Sequence, residues 1–133
     1  MTGNTALAKV RTAYQSLFET VRMWEGSPRC DPAAIGTAMS LVHYEARLLD
    51  DGAFDEWLGL WRPDSLSWLP LRGGAHPADD QSFYLDDARR RRERVEWMRN
   101  PDAWSQSPPA HTVRVVGSVE ARFTGTGLSL IHI

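Results

Sequence analysis

The amino-acid sequence predicts a domain of the α+β class, and three observations carry that reading. Apolar residues recur at three- and four-residue spacing in two runs before residue 50, the mark of amphipathic helices. Asp51-Gly52 then interrupts the second run at a place where glycine suits the left-handed exit of a helix. Late in the chain, Val113, Val115, Val119, Ala121 and Phe123 alternate with Arg114, Glu120 and Arg122, the two-residue period of a strand.

Taken in order, residues from about Thr5 to Glu25 predict a first helix. Leu7, Val10, Tyr14, Leu17, Val21 and Trp24 form its apolar stripe, and Gly26-Ser27-Pro28 ends it. Met23 and Trp24 at this spacing serve packing and have no ligand role. Asp31-Pro32 is a helix start, with Asp to cap the free N–H groups and Pro at the first helical position. The second helix runs to about Asp50 along Ile35, Met39, Val42, Ala46 and Leu49. Beyond Gly52, a short helix spans Phe54 to Trp61, so that Leu48, Leu49, Phe54, Leu58 and Trp61 gather at one helical corner.

Leu66 to Leu71 predicts a strand, with Pro70 placing its end at an edge or a bulge. Arg72 to Asp80 is a loop whose Gly73-Gly74 lacks the following helix and Lys of a phosphate loop. Phe83 to Arg99 predicts a third long helix opened by Asp86 and Asp87. Its six Arg against four acidic residues suit a solvated or subunit-facing surface better than a phosphate site. Asn100-Pro101 closes this helix, and a loop carrying Trp104 and Pro108-Pro109 follows. His111 to Phe123 is the clearest strand, with a slip at Val116-Gly117 that suggests a bulge. Thr124 to Gly127 reads as a turn and Leu128 to Ile133 as a nominal strand.

The 133 residues suit one domain, divided here into an N-terminal helix and loop (1–30), a core (31–123) and a turn with a doubtful tail (124–133). Hydrophobic content of 42% with 24% charged residues is ordinary for a soluble protein. A net charge of −2 gives no reason to expect nucleic acid or an anionic membrane as partner. No apolar run reaches membrane-spanning length and no signal peptide is recognisable, so the expected location is cytoplasmic. The single cysteine, Cys30, excludes an intrachain disulfide and reads as a bystander thiol in a loop.

Several chemistries fail on residue count. Four His and one Cys, at positions 43, 76, 111, 132 and 30, show neither zinc-finger spacing nor a helical His pair. A Rieske cluster needs two Cys and two His, and no His-rich segment proposes a two-His-one-carboxylate iron site. Nucleophile-elbow, Walker and dinucleotide fingerprints are missing too. This chain is therefore expected to hold no metal and no cofactor of its own. His43 remains a candidate for proton transfer, weighed against a partly buried His with a hydrogen-bond partner.

Two stretches together resemble the small (beta) subunit of aromatic-ring-hydroxylating dioxygenases. The first is Tyr44 to Leu58 (YEARLLDDGAFDEWL), followed by Trp68 to Leu71 (WLPL). The second comprises Asp86-Asp87, Arg94 to Glu96 (RVE), Pro101 to Trp104 (PDAW), Ser107 to Pro109 (SPP) and the strand from His111 to Val119. Order and spacing match the family from about Ala38 to Ala121. The resemblance implies a cone of the nuclear-transport-factor or cystatin-like type, with N-terminal helices packed on a curved antiparallel sheet. It implies a structural, non-catalytic role in catabolism of aromatic compounds, beside a large catalytic alpha subunit that carries the Rieske cluster and the mononuclear iron. The expected assembly is a three-plus-three hetero-hexamer, with Trp97, Trp104, Arg94 and Pro108 as interface candidates. The substrate cannot be read from this chain.

Two departures accompany the match. Arg90 and Arg91 stand where the family is often apolar, so Arg91→Leu is expected to be neutral or stabilising, the Arg91 head reaching a carboxylate or the surface. Family members also continue through further strands after the position of Gly127, which leaves the expected sheet incomplete here. Leu128 to Ile133 (LSLIHI) coincides with what a transposon-end sequencing adapter encodes in one frame, and read-through is favoured over a native strand. The alternative function, from a different class, is a stand-alone cone-fold isomerase or dehydratase, or a ligand-binding domain, using His43, Tyr44 or His111.

Overall fold

A computed structural model describes the backbone of residues 2–124 and 127–132 and the side chains of residues 6–105 and 107–122. Helix α1 (Thr2–Gly26) leads to α2 (Pro32–Asp50) and the single-turn α3 (Phe54–Gly59). Strands β1 (Ser67–Pro70) and β2 (Ser82–Asp86) form an antiparallel pair, and α4 (Ala88–Arg99) follows directly. After a 3-10 turn at Trp104–Gln106, β3 (Val119–Thr124) pairs antiparallel with β4 (Gly127–His132).

The predicted boundaries of the first helices hold for stated reasons. Asp31 caps α2 by accepting from the Ala34 N–H at 2.8 Å, with Pro32 at the first helical position. Asp51 ends α2, its N–H donating to Arg47 O at 2.9 Å, and Gly52 reverses the chain at φ +69°. The corner behind it is built as expected. Leu48 is buried, Leu49, Phe54, Leu58 and Trp61 are half-buried, and the Trp57 and Trp61 rings meet edge-on at 5.8 Å. Trp57 Nε1 donates to Glu45 Oε1 at 3.0 Å, tying α3 back to α2.

Four expectations are corrected. The segment from Phe83 does not extend the third helix. Trp68 pairs with Leu85 and Leu69 with Tyr84, and the helix starts only at Ala88. Phe83 and Tyr84 fit a pleated surface, and the neighbouring strand decides the matter over helical spacing. The ladder slips between Leu69 and Pro70, the irregularity expected of that proline. Residues 111–118 carry no ladder among the described residues, and β3 begins only at Val119. Alternation is necessary for a strand but insufficient without a neighbour to take its backbone groups. Val113 and Val115 accordingly stand 88% and 90% exposed.

Among the described residues the antiparallel pairing is split between two two-stranded sheets, in place of one continuous sheet, within the expected α+β class. Lastly, Cys30 is no bystander. It is buried with Ala38 and Ala121, against which Ala34 and Ile35 pack, and its N–H donates to Ala121 O at 3.0 Å. Arg122 stacks over Trp24 at 4.9 Å and donates to Ser27 O at 2.6 Å, so the end of α1 is fastened to β3.

The Thr124–Gly127 turn includes residues 125 and 126, which lie outside the described residues, as does Ile133. The backbone of Gly127–His132 pairs with β3 from Thr124↔Gly127 to Val119↔His132, the arrangement the strand reading of the tail requires.

Candidate partner interface

Helix α4 has one face turned inward and one turned out, and both follow from its spacing. Asp87 caps it by accepting from the Arg90 N–H at 2.8 Å, and Asn100 closes it. Arg91 and Val95, one turn apart, are buried. On the other side, Arg90, Arg94 and Trp97 line one stripe, with Trp97 62% exposed.

The inward face contains a buried cation, and here the expectation for Arg91 fails. The residue is 2% exposed and its guanidinium reaches neither the surface nor a carboxylate oxygen. Its Nη1 donates to the Ser65 carbonyl at 3.1 Å and to the Asp86 carbonyl at 3.0 Å. Its Nη2 donates to Ser65 Oγ at 2.9 Å, and the head lies 4.5 Å over the Trp61 ring. Burial pulls the guanidinium below its ordinary range, opposed by the charges of Asp87 and Asp86. Satisfied donors and a ring face replace the missing carboxylate.

Asp86 is buried at the end of β2, and its carboxylate takes a two-point contact from Arg94, whose side chain is half-exposed. That hydrogen bond raises the Arg94 guanidinium above its ordinary value, against some desolvation. Arg94 also lies 5.6 Å over the Tyr84 ring. Adjacent carboxylates thus do separate work: Asp86 faces an arginine and Asp87 caps a helix. Sequence spacing flagged Arg91 as out of place on an apolar stripe but could not supply Ser65, 26 residues away, as its partner.

The other singled-out residues are scattered. Trp104 is 88% exposed and Pro108 is exposed. His43, Tyr44 and His111 are exposed, so His43 is not the partly buried histidine that was expected. Thr112 Oγ1 and the Arg114 N–H donate to the Asp50 carboxylate at 2.8 and 2.7 Å, which pins the unpaired segment to the end of α2. Among the described residues, no three His, Cys, Asp or Glu side chains are grouped so as to hold a metal ion. No helix among them is long and apolar enough to cross a membrane.

The fold is that of an α+β domain, and Arg90, Arg94 and Trp97 form an exposed stripe on α4. The chain belongs to the ring-hydroxylating beta subunit family, whose model matches residues 44–129. It is 28% identical over 88 residues to the 2-halobenzoate 1,2-dioxygenase small subunit of Burkholderia cepacia, covering 62% of this chain and 53% of that one. It is 33% identical over 87 residues to the N,N-dimethyl phenylurea N-demethylase subunit beta of Sphingobium sp. (strain YBL2), covering 62% and 49%. The chain thus spans about half the length of the curated relatives it matches. Its fold is similar to a naphthalene 1,2-dioxygenase solved with indole bound in the active site, at a TM-score of 0.61 and 22% identity, over 76% of this chain and 58% of that one.

Proposed function

We propose that this chain is a structural, non-catalytic beta subunit of a multicomponent dioxygenase that hydroxylates aromatic rings, and that it assembles with a catalytic alpha subunit. The family match over residues 44–129 carries the reading. The residues themselves support it. One Cys and four scattered His in the 133 residues supply ligands for neither a Rieske cluster nor an iron facial triad. Both metals then belong to the large subunit. The assembly is a three-plus-three hexamer in the cytoplasm, and the beta chains complete a cystatin-like cone there. Trp97, Trp104, Arg94 and Pro108 are its candidate contact residues.

Size-exclusion chromatography with an iron assay, on separate and mixed subunits, tests this directly. The isolated chain should carry no stoichiometric iron, show no iron–sulfur absorption and turn over no aromatic substrate when a reductase is supplied. Mixed with the large subunit, it should enter one complex. Turnover of a small carbonyl or hydroxylated compound by the isolated chain, lost on His43→Ala, sinks the reading in favour of a stand-alone enzyme.

A further inference from the structure

We infer that residues 111–117 are a self-association surface, pairing with the same segment of a second copy as an antiparallel ladder about a two-fold axis at Arg114. The inference goes beyond the assembly reading above and does not depend on it. The segment has a strand's alternation but no strand beside it. Among the described residues, 111–118 make no backbone–backbone hydrogen bond. Residues 111–115 are all exposed, with Val113 at 88% and Val115 at 90%. A chain segment in that state offers a row of free N–H and C=O groups to another strand.

One of its two edges is already taken. The Arg114 N–H donates to Asp50 Oδ2 at 2.7 Å, and the Thr112 hydroxyl donates to Asp50 Oδ1 at 2.8 Å. Backbone groups of successive residues in an extended chain point to opposite edges, so those of Val113 and Val115 face away from Asp50. A single free edge admits one partner and closes the pair, where two free edges would propagate a fibre.

The residues themselves argue for a second copy as that partner. Val113-Arg114-Val115 reads alike in both directions. Turned antiparallel about Arg114, Val113 of each copy meets Val115 of the other and exchanges both N–H···O=C bonds with it. The valines of both copies then share one face, and β-branched pairs so placed stabilise a ladder. Thr112 lies opposite Val116 and His111 opposite Gly117, so no carboxylate is forced against another. Arg114 meets its own counterpart, but each guanidinium is already paired with the Asp50 carboxylate of its own chain. The axis therefore carries no unmatched like charge, which would otherwise oppose the pairing.

Sedimentation velocity of the 133-residue chain alone, from micromolar to submillimolar concentration, tests the inference. A dimer in exchange with monomer is expected, and a weak one, since a short ladder buries less than the roughly 1,200 Å² of a stable contact. Each variant is first shown to be folded by circular dichroism. Val115→Pro removes a ladder donor while keeping an apolar side chain, and should weaken dimerisation about tenfold or more. Val113→Lys sets a charge beside the other copy's valine and should weaken it likewise. Val115→Thr keeps the donor and the branched side chain, and should stay within about threefold. Trp97→Ala, outside the segment, should leave dimerisation unchanged. A chain that is monomeric throughout, or an oligomer larger than a dimer, overturns the inference. So does a dimer indifferent to Val115→Pro and Val113→Lys, and its loss on Trp97→Ala would assign the contact to α4 instead.

Discussion

The Arg91 guanidinium rests 4.5 Å over the Trp61 ring and fastens α4 to the turn before β1 through Ser65. It holds three parts of the chain together: the region after α3, the end of β2 and the start of α4.

Replacing Arg91 by Leu should therefore destabilise the protein by more than about 2 kcal/mol, since it removes three hydrogen bonds, one of them buried at the Asp86 carbonyl, and a stranded buried group costs about 1–3 kcal/mol. Urea unfolding of the pair checks it. A variant as stable as wild type restores the simpler view that a charge on an apolar stripe is a liability.

Asp87→Ala should cost about 1 kcal/mol through the lost cap on the Arg90 N–H. Helical circular dichroism during the same titration should show the loss without a change of fold, and Asp87→Asn should retain most of the stability.

Acid should loosen the segment after Pro109. The Asp50 carboxyl is held low chiefly by the Arg114 backbone N–H, then by the Thr112 and Arg114 side chains, with burial opposing. Asp80 is held low chiefly by the His76 backbone N–H and then by Arg72. A depressed carboxyl contributes stability that is complete above the ordinary aspartate value near pH 4 and fades as pH falls through the lowered one. Melts should hold steady from about pH 6 to 5 and drop below about pH 4, less steeply in Asp50→Asn. Identical acid slopes for the two proteins count against the assignment.

Cys30 should react slowly with a disulfide reagent in the native state and rapidly in denaturant. Burial pushes its thiol up, and Asp31 adds to the effect, so little thiolate is offered near neutral pH. Native labelling as fast as that of a free thiol contradicts its place between α2 and β3.

Trp104→Ala should leave stability within about 0.5 kcal/mol, as expected of an exposed side chain. It should weaken assembly with the large subunit and leave that subunit's metal sites unaltered. Loss of stability without loss of assembly assigns Trp104 to the fold.

Local signals in the sequence proved readable. Asp31-Pro32, Asp51-Gly52, Pro70 and Asn100 each act through the nearest few residues, and each does in the structure what its chemistry suggests. Long-range partners were not readable. Whether Phe83 and Tyr84 extend a helix depends on β1, and whether Val113 and Val115 form a strand depends on a neighbour. On α4, the Trp and Arg types were visible, while the pairings of Arg89 with Glu93 and of Arg94 with Asp86 required coordinates.

Between β2 and α4 lies one residue, Asp87, already committed to capping. Such a junction has no slack. Twelve helical residues make a rod about 18 Å long, with Trp97 near the end that Arg99 ties to Asp55 of α3 and the other end set in the β1–β2 hairpin. A push on Trp97 would be shared between α3, through Arg99 and Asp55, and the β1–β2 hairpin, through Arg94 and Asp86. Whatever grips that tryptophan gains mechanical purchase on the hairpin.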